Sequence, residues 1–276
     1  MRIIQVSDLH HARMTWNLLR CLSKRLIGQL NYVCKRASMF DPKQREALPE
    51  LFQSLKADLI LIGGDLTTTS LPEEFEEAKA FIKGLGIPVL TIPGNHDCYT
   101  QGSHQEQRFY NYFPSSLKEH GVERHDLTAN WTLVAFDTTL ATGLTSSRGL
   151  FSPKAEENLD KLLSQISSKR SILLWTHYPL FPNDSHSRGL ERAEALRALV
   201  RRYPNICCFL HGHTHRHAIA DLRPSGFPVV LDSGCPIQKG EGSLNLLELT
   251  PNACKVESYH WDQGWGKRRE QAFIWD

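Results

Sequence analysis

Five separate β-branched runs in this chain each end in a short cluster of Asp, Asn, His and Gly, and that repetition constrains the fold more than any other feature. Strand-like runs at residues 2–8, 58–65, 88–96, 171–177 and 206–211 lead into SDLH (7–10), GGD (63–65), GNHD (94–97), WTH (175–177) and GHTH (212–215). Further strands are expected at 131–137, 229–232, 244–249 and 255–261. Helical patterns lie between them, at 71–84 with Pro72 and clustered acids at its start, at 152–168 with Ser152 as N-cap and Pro153 in the first turn, and at 189–203. Alternation of strand and helix predicts an α/β architecture with a β-rich C-terminal third. The early strands are apolar at successive positions, the pattern of strands covered on both faces. In such sheets ligands bind at the C-terminal strand ends, so the five polar tips are expected to meet in one patch.

Composition narrows the class. With 276 residues, 41% of them hydrophobic and 22% charged, the chain can bury a large core and is not a collagen, a coiled coil or a disordered polymer. No internal repeat or linker interrupts it, so a single domain over 1–276 is expected. A net charge of +2 gives no reason to expect nucleic acid as a partner. No apolar run approaches the 18 residues or so of a membrane span, and the first residues read directly as a strand instead of a signal peptide. The 7 cysteines (Cys21, Cys34, Cys98, Cys207, Cys208, Cys235 and Cys254) are odd in number and scattered, which fits reduced thiols in a cytoplasmic protein.

The residue types at the tips indicate metal chemistry. Asp8 and His10 are two apart, as are His213 and His215, and in an extended segment such pairs point the same way. Carboxylate, imidazole and the Asn95 amide oxygen, with no thiolate, suit manganese, iron or zinc and argue against a Cys-type structural site. Asp8, His10, Asp65, Asn95, His177, His213 and His215 are more donors than one substrate-holding ion uses. They fit two divalent cations about 3.5–4 Å apart, bridged by one carboxylate. The glycines at 63, 64, 94 and 212 allow close backbone approach. A lone histidine is ordinarily a surface or capping residue, and His11, His104, His120, His125, His186, His217 and His260 are read that way. His211, at a strand end before Gly212, is expected to support the site from below.

Taken in order, D-x-H, G-G-D, G-N-H-D, a later lone His and G-H-x-H make the sequence similar to the calcineurin-like metallophosphoesterase superfamily over about residues 2–240. The resemblance implies a four-layer α/β/β/α sandwich with a dinuclear centre, manganese being the expected metal. One ion would be held by Asp8, His10, Asp65 and His215. The other would be held by Asp65, Asn95, His177 and His213. His96 matches the family's catalytic histidine, and Asp97 the residue that orients its ring. The implied enzyme hydrolyses a phosphoester or pyrophosphate bond with a metal-activated water, and His96 as general acid. A non-catalytic metal-binding scaffold is the alternative from another class, and members of that kind tend to lack the catalytic histidine or several ligands.

One segment departs from the average. Residues 13–45 carry eight basic residues and one acid, Asp41, for +7, leaving −5 for the rest of the chain. Leu19, Leu22, Leu26, Leu30 and Val33 share one side of a helical wheel, with Arg20, Lys24 and Lys35 opposite. A basic amphipathic insert directly after the first motif suggests contact with an anionic membrane surface or a phosphorylated lipid. Together with the motifs it resembles, in function, the UDP-2,3-diacylglucosamine pyrophosphohydrolases of lipid A biosynthesis, peripheral enzymes of the cytoplasmic face of the inner membrane. The alternative is a soluble phosphodiesterase acting on cyclic nucleotides or other small diesters, with the insert packed on the core. Arg148, in the 145–149 loop, is a candidate phosphate contact against a solvated-arginine reading. No sequence feature sets an oligomeric state.

Overall fold

The structure is a computed structural model that describes residues 1–13, 37–143, 146–182 and 186–275. Its strands are β1 (Arg2–Val6), β2 (Leu59–Ile62), β3 (Val89–Thr91), β4 (Val122–Asp126), β5 (Trp131–Phe136), β6 (Gly149–Leu150), β7 (Ser171–Trp175), β8 (Leu190–Glu191), β9 (Ile206–His211), β10 (His217–Asp221), β11 (Val229–Ser233), β12 (Ser243–Thr250), β13 (Ala253–Trp261) and β14 (Trp265–Ile274). One six-stranded sheet has the order β14-β13-β12-β1-β2-β3 and the other β10-β11-β9-β7-β5-β4; β6 and β8 form a small ribbon. The strands that lead into the site, β1–β2–β3 in one sheet and β7–β9 in the other, run parallel within their sheets.

The period-two pleat decides the layering. On β5, Leu133 and Ala135 pack into a core shared with Ile3, Ile60, Leu244 and Leu246 of the opposite sheet. Val134 and Phe136 face the other way, against Leu159, Leu163, Leu196 and Leu199 of the helices Pro153–Ser164 and Ala193–Arg202. Helices Leu48–Ser54 and Pro72–Gly84 contribute Phe52 and Phe75 to the core of the first sheet. The result is the helix–sheet–sheet–helix sandwich that the motifs implied.

The strands stop short of their expected ends. β1, β2, β3 and β7 finish at Val6, Ile62, Thr91 and Trp175, before the residues 8, 65, 96 and 177 anticipated. At the tips the backbone leaves its own ladder: the Asp8 amide donates to Gly64 O at 2.9 Å and the His10 amide to Asp65 O at 3.0 Å. Strands β4, β10 and β14 escaped the sequence reading because they lie on sheet edges, where exposed polar and charged residues alternate with few apolar ones. The Ser152 cap is present, its hydroxyl accepting from the Ala155 amide at 3.1 Å. The helix expected over 189–203 is shorter, because 190–191 are used by β8.

Residues 14–36, which carry nearly all of the basic amphipathic pattern, lie outside the described residues. The chain is described again from Ala37. Phe40 pairs with Gln238 in an isolated antiparallel bridge, and Asp41 caps the helix Pro42–Glu46 by accepting from the Lys43 amide. Among the described residues no helix is long and apolar enough to cross a membrane. Cys98, Cys207, Cys208 and Cys254 are buried free thiols, and Cys235 is buried with its sulfur 3.2 Å from Asp8 O; Cys21 and Cys34 are outside the described residues.

Candidate metal centre

All five polar tips converge. Asp8, His10 and His215 place one potential ligand atom each within 4.8 Å of one another, and so do Asp65, His177 and His213. Each triplet draws on both sheets: Asp8, His10 and Asp65 follow β1 and β2, whereas His177, His213 and His215 follow β7 and β9. Asp65 stands between the triplets, with Oδ2 3.9 Å from His10 Nε2 and Oδ1 3.6 Å from His177 Nε2.

Hydrogen bonds around the site fix which nitrogens carry protons. His177 Nδ1–H donates to Gly63 O at 2.6 Å, and His213 Nε2–H donates to Arg188 O at 2.8 Å. The remaining nitrogens, His177 Nε2 and His213 Nδ1, are then lone pairs facing each other at 3.3 Å. In the other triplet His10 Nδ1 faces Thr67 O at 3.3 Å, while His10 Nε2 lies 3.1 Å from His215 Nε2. Asp8 Oδ1 and Asn95 Oδ1 are buried and accept no hydrogen bond among the described residues, although His215 Nε2 is 3.2 Å from Asp8 Oδ1. Opposed lone pairs and orphaned buried acceptors are costly unless something electropositive sits among them. The donor set therefore fits divalent cations.

Electrostatics agree with ligand-competent protonation states. Burial holds His177 below its ordinary value and pushes His213 down to about 3, assisted by neighbouring His177. Such imidazoles are neutral near pH 7, the form that ligates. Burial alone would raise Asp8, yet His215, His177 and His10 around it hold its carboxyl well below the usual 3.8.

The backbone is bent for this purpose. Asp8, His10, Asp65, His213 and His215 all have φ between 43° and 70°, the left-handed region that non-glycine residues avoid. Each such residue costs about 1–3 kcal/mol and persists only where surrounding structure dictates it. The D-x-H and H-x-H pairs thus converge through sharp turns beyond the strand ends, and not through an extended pleat as the spacing alone predicts. Close approach also explains two glycines: a Cβ on Gly94 would overlap the Asp65 carboxylate, and one on Gly212 would overlap Ser7 Oγ and crowd Asp8.

His96 lies in the same pocket, grouped with His10 and Asp65, and is 7% exposed. Its ring is oriented differently from the expectation. Asp97 does not hold it: Oδ1 of Asp97 accepts from the Thr67 amide and hydroxyl at 2.9 and 3.0 Å, and Oδ2 from the Gly94 and Leu66 amides at 2.9 and 3.2 Å. Fully occupied, that carboxylate pins the loops carrying Asp65 and Asn95 together; burial raises it to about 6, with those donors opposing the shift. His96 Nδ1–H instead donates to Thr68 O at 2.6 Å, and the ring stacks on Tyr99 with centroids 5.3 Å apart.

His211 is where it was expected, buried beneath the site, with Nδ1 3.0 Å from Gly212 O and 3.5 Å from Asp232 Oδ2. Asp232 was not foreseen. It accepts from Thr214, between the two G-H-T-H histidines, at 2.5 Å and from the Gly234 amide at 3.0 Å. Arg148 is neither a free phosphate contact nor simply solvated, because it pairs with Glu191 Oε1 at 2.7 Å across the β6–β8 ribbon. Carbonyl partners such as Gly63 O, Thr68 O and Arg188 O have no signature in a sequence, since every residue has a carbonyl. Among the histidines set aside, His11, His125, His217 and His260 make ordinary structural contacts with Phe81, Glu123, Asn245 and each other.

The chain is similar to known proteins in sequence and in fold. In sequence the chain is 26% identical over 216 residues to a 3',5'-cyclic-nucleotide phosphodiesterase of Nostoc sp., covering 78% of this chain and 71% of that protein. It is 24% identical over 241 residues to the 3',5'-cyclic adenosine monophosphate phosphodiesterase of Haemophilus influenzae, covering 86% and 77%. A glycerophosphodiester phosphodiesterase of Enterobacter lignolyticus matches at 25% identity over 175 residues, 61% of this chain and 59% of that one. In fold, a dimetal phosphatase from Danio rerio superposes over 100% of this chain and 99% of its own at a TM-score of 0.69 and 15% identity. A purple acid phosphatase from yellow lupin does so over 99% and 53% at a TM-score of 0.65 and 14% identity. With the calcineurin-like phosphoesterase profile matching residues 1–217, the chain belongs to that family of metal-dependent phosphoester hydrolases.

Proposed function

We propose that this protein is a dinuclear phosphodiesterase that cleaves small soluble phosphodiesters, with 3',5'-cyclic nucleotides as the leading substrate class and glycerophosphodiesters as the second. One ion is assigned to Asp8, His10, Asp65 and His215, and the other to Asp65, Asn95, His177 and His213. The observation that carries the reading is the pair of lone-pair clusters with the Asp65 carboxylate between them. Manganese, iron and zinc all suit these oxygen and imidazole donors. When bound, two such cations neutralise charge on the phosphoryl oxygens and lower the pKa of an attacking water.

The rest of the work falls to the chain itself. Gly63 O and Arg188 O keep the His177 and His213 tautomers fixed, so the lone pairs remain directed at the centre. The Asp97 carboxylate holds the 66–67 and 94 backbones in place beneath the ligands. Thr68 O retains the proton on His96 Nδ1, so it is from the doubly protonated ring that Nε2–H can hand a proton to a departing alkoxide, leaving the neutral Nδ1–H imidazole. The neutral imidazoles and low Asp8 carboxyl keep the donors ready near pH 7.

The lipid A reading loses its support. Similar proteins are named for cyclic nucleotides and glycerophosphodiesters, and the amphipathic insert that motivated it lies in residues 14–36, outside the described residues. Nothing in Arg148, already paired with Glu191, favours a lipid phosphate. A substrate panel decides between the readings: 3',5'-cyclic AMP, glycerophosphoethanolamine, bis-p-nitrophenyl phosphate and UDP-2,3-diacylglucosamine, each with added manganese and with chelator. Turnover of the soluble diesters that chelator abolishes is the expected result. Cleavage of the lipid pyrophosphate alone would overturn the proposal.

A further inference from the structure

The two ligand triplets are not supported alike. His177 and His213 each have a ring nitrogen held by a carbonyl at 2.6 and 2.8 Å. His10 Nδ1 faces Thr67 O at the longer distance of 3.3 Å, and no carbonyl partner is seen for His215 among the described residues. What His10 and His215 share is a phenyl ring. Phe40 stacks on His10 with centroids 5.2 Å apart and planes 15° from parallel, and its centroid is 5.8 Å from that of His215. No ring contact joins Phe40 to His177 or His213 among the described residues.

Phe40 is not carried by any of the five strand tips. It arrives from the end of the 13–45 insert, and the backbone sets it firmly: Phe40 bridges Gln238, the Asp41 amide donates to Ile237 O at 2.9 Å, and the Lys239 amide to Met39 O at 2.7 Å. Phe40 is 7% exposed in a small apolar cluster with Cys235 and Ile237. Cys235 in turn directs its thiol at Asp8 O, 3.2 Å away. A ring clamped in this way fixes the plane of His10, which meets the His96 ring nearly at right angles at a centroid distance of 4.9 Å.

We propose that Phe40 is a positioning residue for one ion only: its ring orients His10 and His215, and so couples the return of the insert to occupancy of the Asp8–His10–His215 group. The inference rests on the dinuclear assignment above. Hydrogen-bonded supports behind metal ligands typically change metal affinity by about 10–100-fold, and the stacked ring is proposed to act on the same scale.

Manganese titration of the metal-free protein, followed by calorimetry and electron paramagnetic resonance, tests it. Wild type is expected to bind two equivalents. Phe40→Leu, which keeps apolar volume but removes the ring, should weaken one equivalent by about 10–100-fold and leave the other unchanged. Phe40→Met carries the same expectation should the leucine variant fail to fold. Phe40→Tyr, which keeps the ring face, should restore two-site binding. Ile237→Ala, which trims the same cluster but keeps the phenyl ring and its backbone bridge, should retain both affinities. Equal loss of both ions in Phe40→Leu, unchanged binding, or the same selective loss in Ile237→Ala would overturn the role of Phe40. Wild type binding no manganese, zinc or iron would remove the dinuclear reading itself, a separate outcome from failure at Phe40.

Discussion

His177 Nε2 and His213 Nδ1 face each other at 3.3 Å with no proton available to either, because the opposite nitrogen of each ring is committed to a backbone carbonyl. Such an arrangement is repulsive until a cation enters. Metal removal should therefore lower stability as well as activity. A ligand at 100 times its dissociation constant stabilises a single site by about 2.7 kcal/mol. Differential scanning fluorimetry with chelator and with excess manganese should show a clear rise in melting temperature on addition; identical curves would count against the assignment.

Replacing His96 separates proton donation from metal binding. His96→Ala should retain two metal equivalents and lower turnover by about 10²–10⁴-fold on a diester with an alkoxide leaving group. On bis-p-nitrophenyl phosphate, whose leaving group needs little protonation, the loss should be much smaller. Equal loss on both substrates would assign His96 to binding instead.

Gly94→Ala directs a methyl group into the Asp65 carboxylate and the Asp65 backbone nitrogen. Backbone cannot yield as a flexible side chain does, so the bridging position should be disturbed while the sheets survive. Loss of metal with a retained far-ultraviolet circular dichroism spectrum is the expected outcome.

Glu74 organises the loop behind His10 and His96. Its oxygens accept from the Thr69 amide at 2.8 Å, the Leu71 amide at 3.1 Å and the Arg13 amide at 3.1 Å. Glu74→Gln turns an amide N–H₂ toward these donors and should destabilise by about 1–3 kcal/mol. Burial pushes the Glu74 carboxyl from 4.5 up to about 7, the donors opposing it. The folded state then holds a proton that the unfolded chain releases, so this contribution is complete below pH 4.5 and is lost as the pH rises through about 7. Urea denaturation at pH 5 and pH 8 should show a smaller pH-dependent loss in the glutamine variant than in wild type.

Much of this molecule was legible because strand tips and metal donors announce themselves in residue type. Asp8, His10, Asp65, Asn95, His177, His213 and His215 were all marked by five short motifs, and the structure gathers all of them but Asn95 into two clusters joined through Asp65, with Asn95 buried next to His96 of the same pocket. Local turn geometry was not legible: spacing suggested an extended D-x-H, whereas left-handed backbone at Asp8 and His10 turns both side chains inward. Nor were long-range supports, since Phe40, Thr68 and Asp232 reach the centre only through tertiary packing. The role expected of Asp97 failed for the same reason. Adjacency to His96 in sequence suggested a contact that the folded backbone directs to Thr67, Leu66 and Gly94 instead. Edge strands β4, β10 and β14 were missed because exposure relaxes the apolar pattern that a buried strand must keep.

Each triplet of ligands takes members from both halves of the sandwich. Neither sheet owns a complete ligand group, and because the first sheet joins the two ends of the chain, β12–β14 beside β1–β3, the centre can assemble only once the whole polypeptide has closed on itself. A cation bound at either group would then act as a rivet across the seam between the sheets.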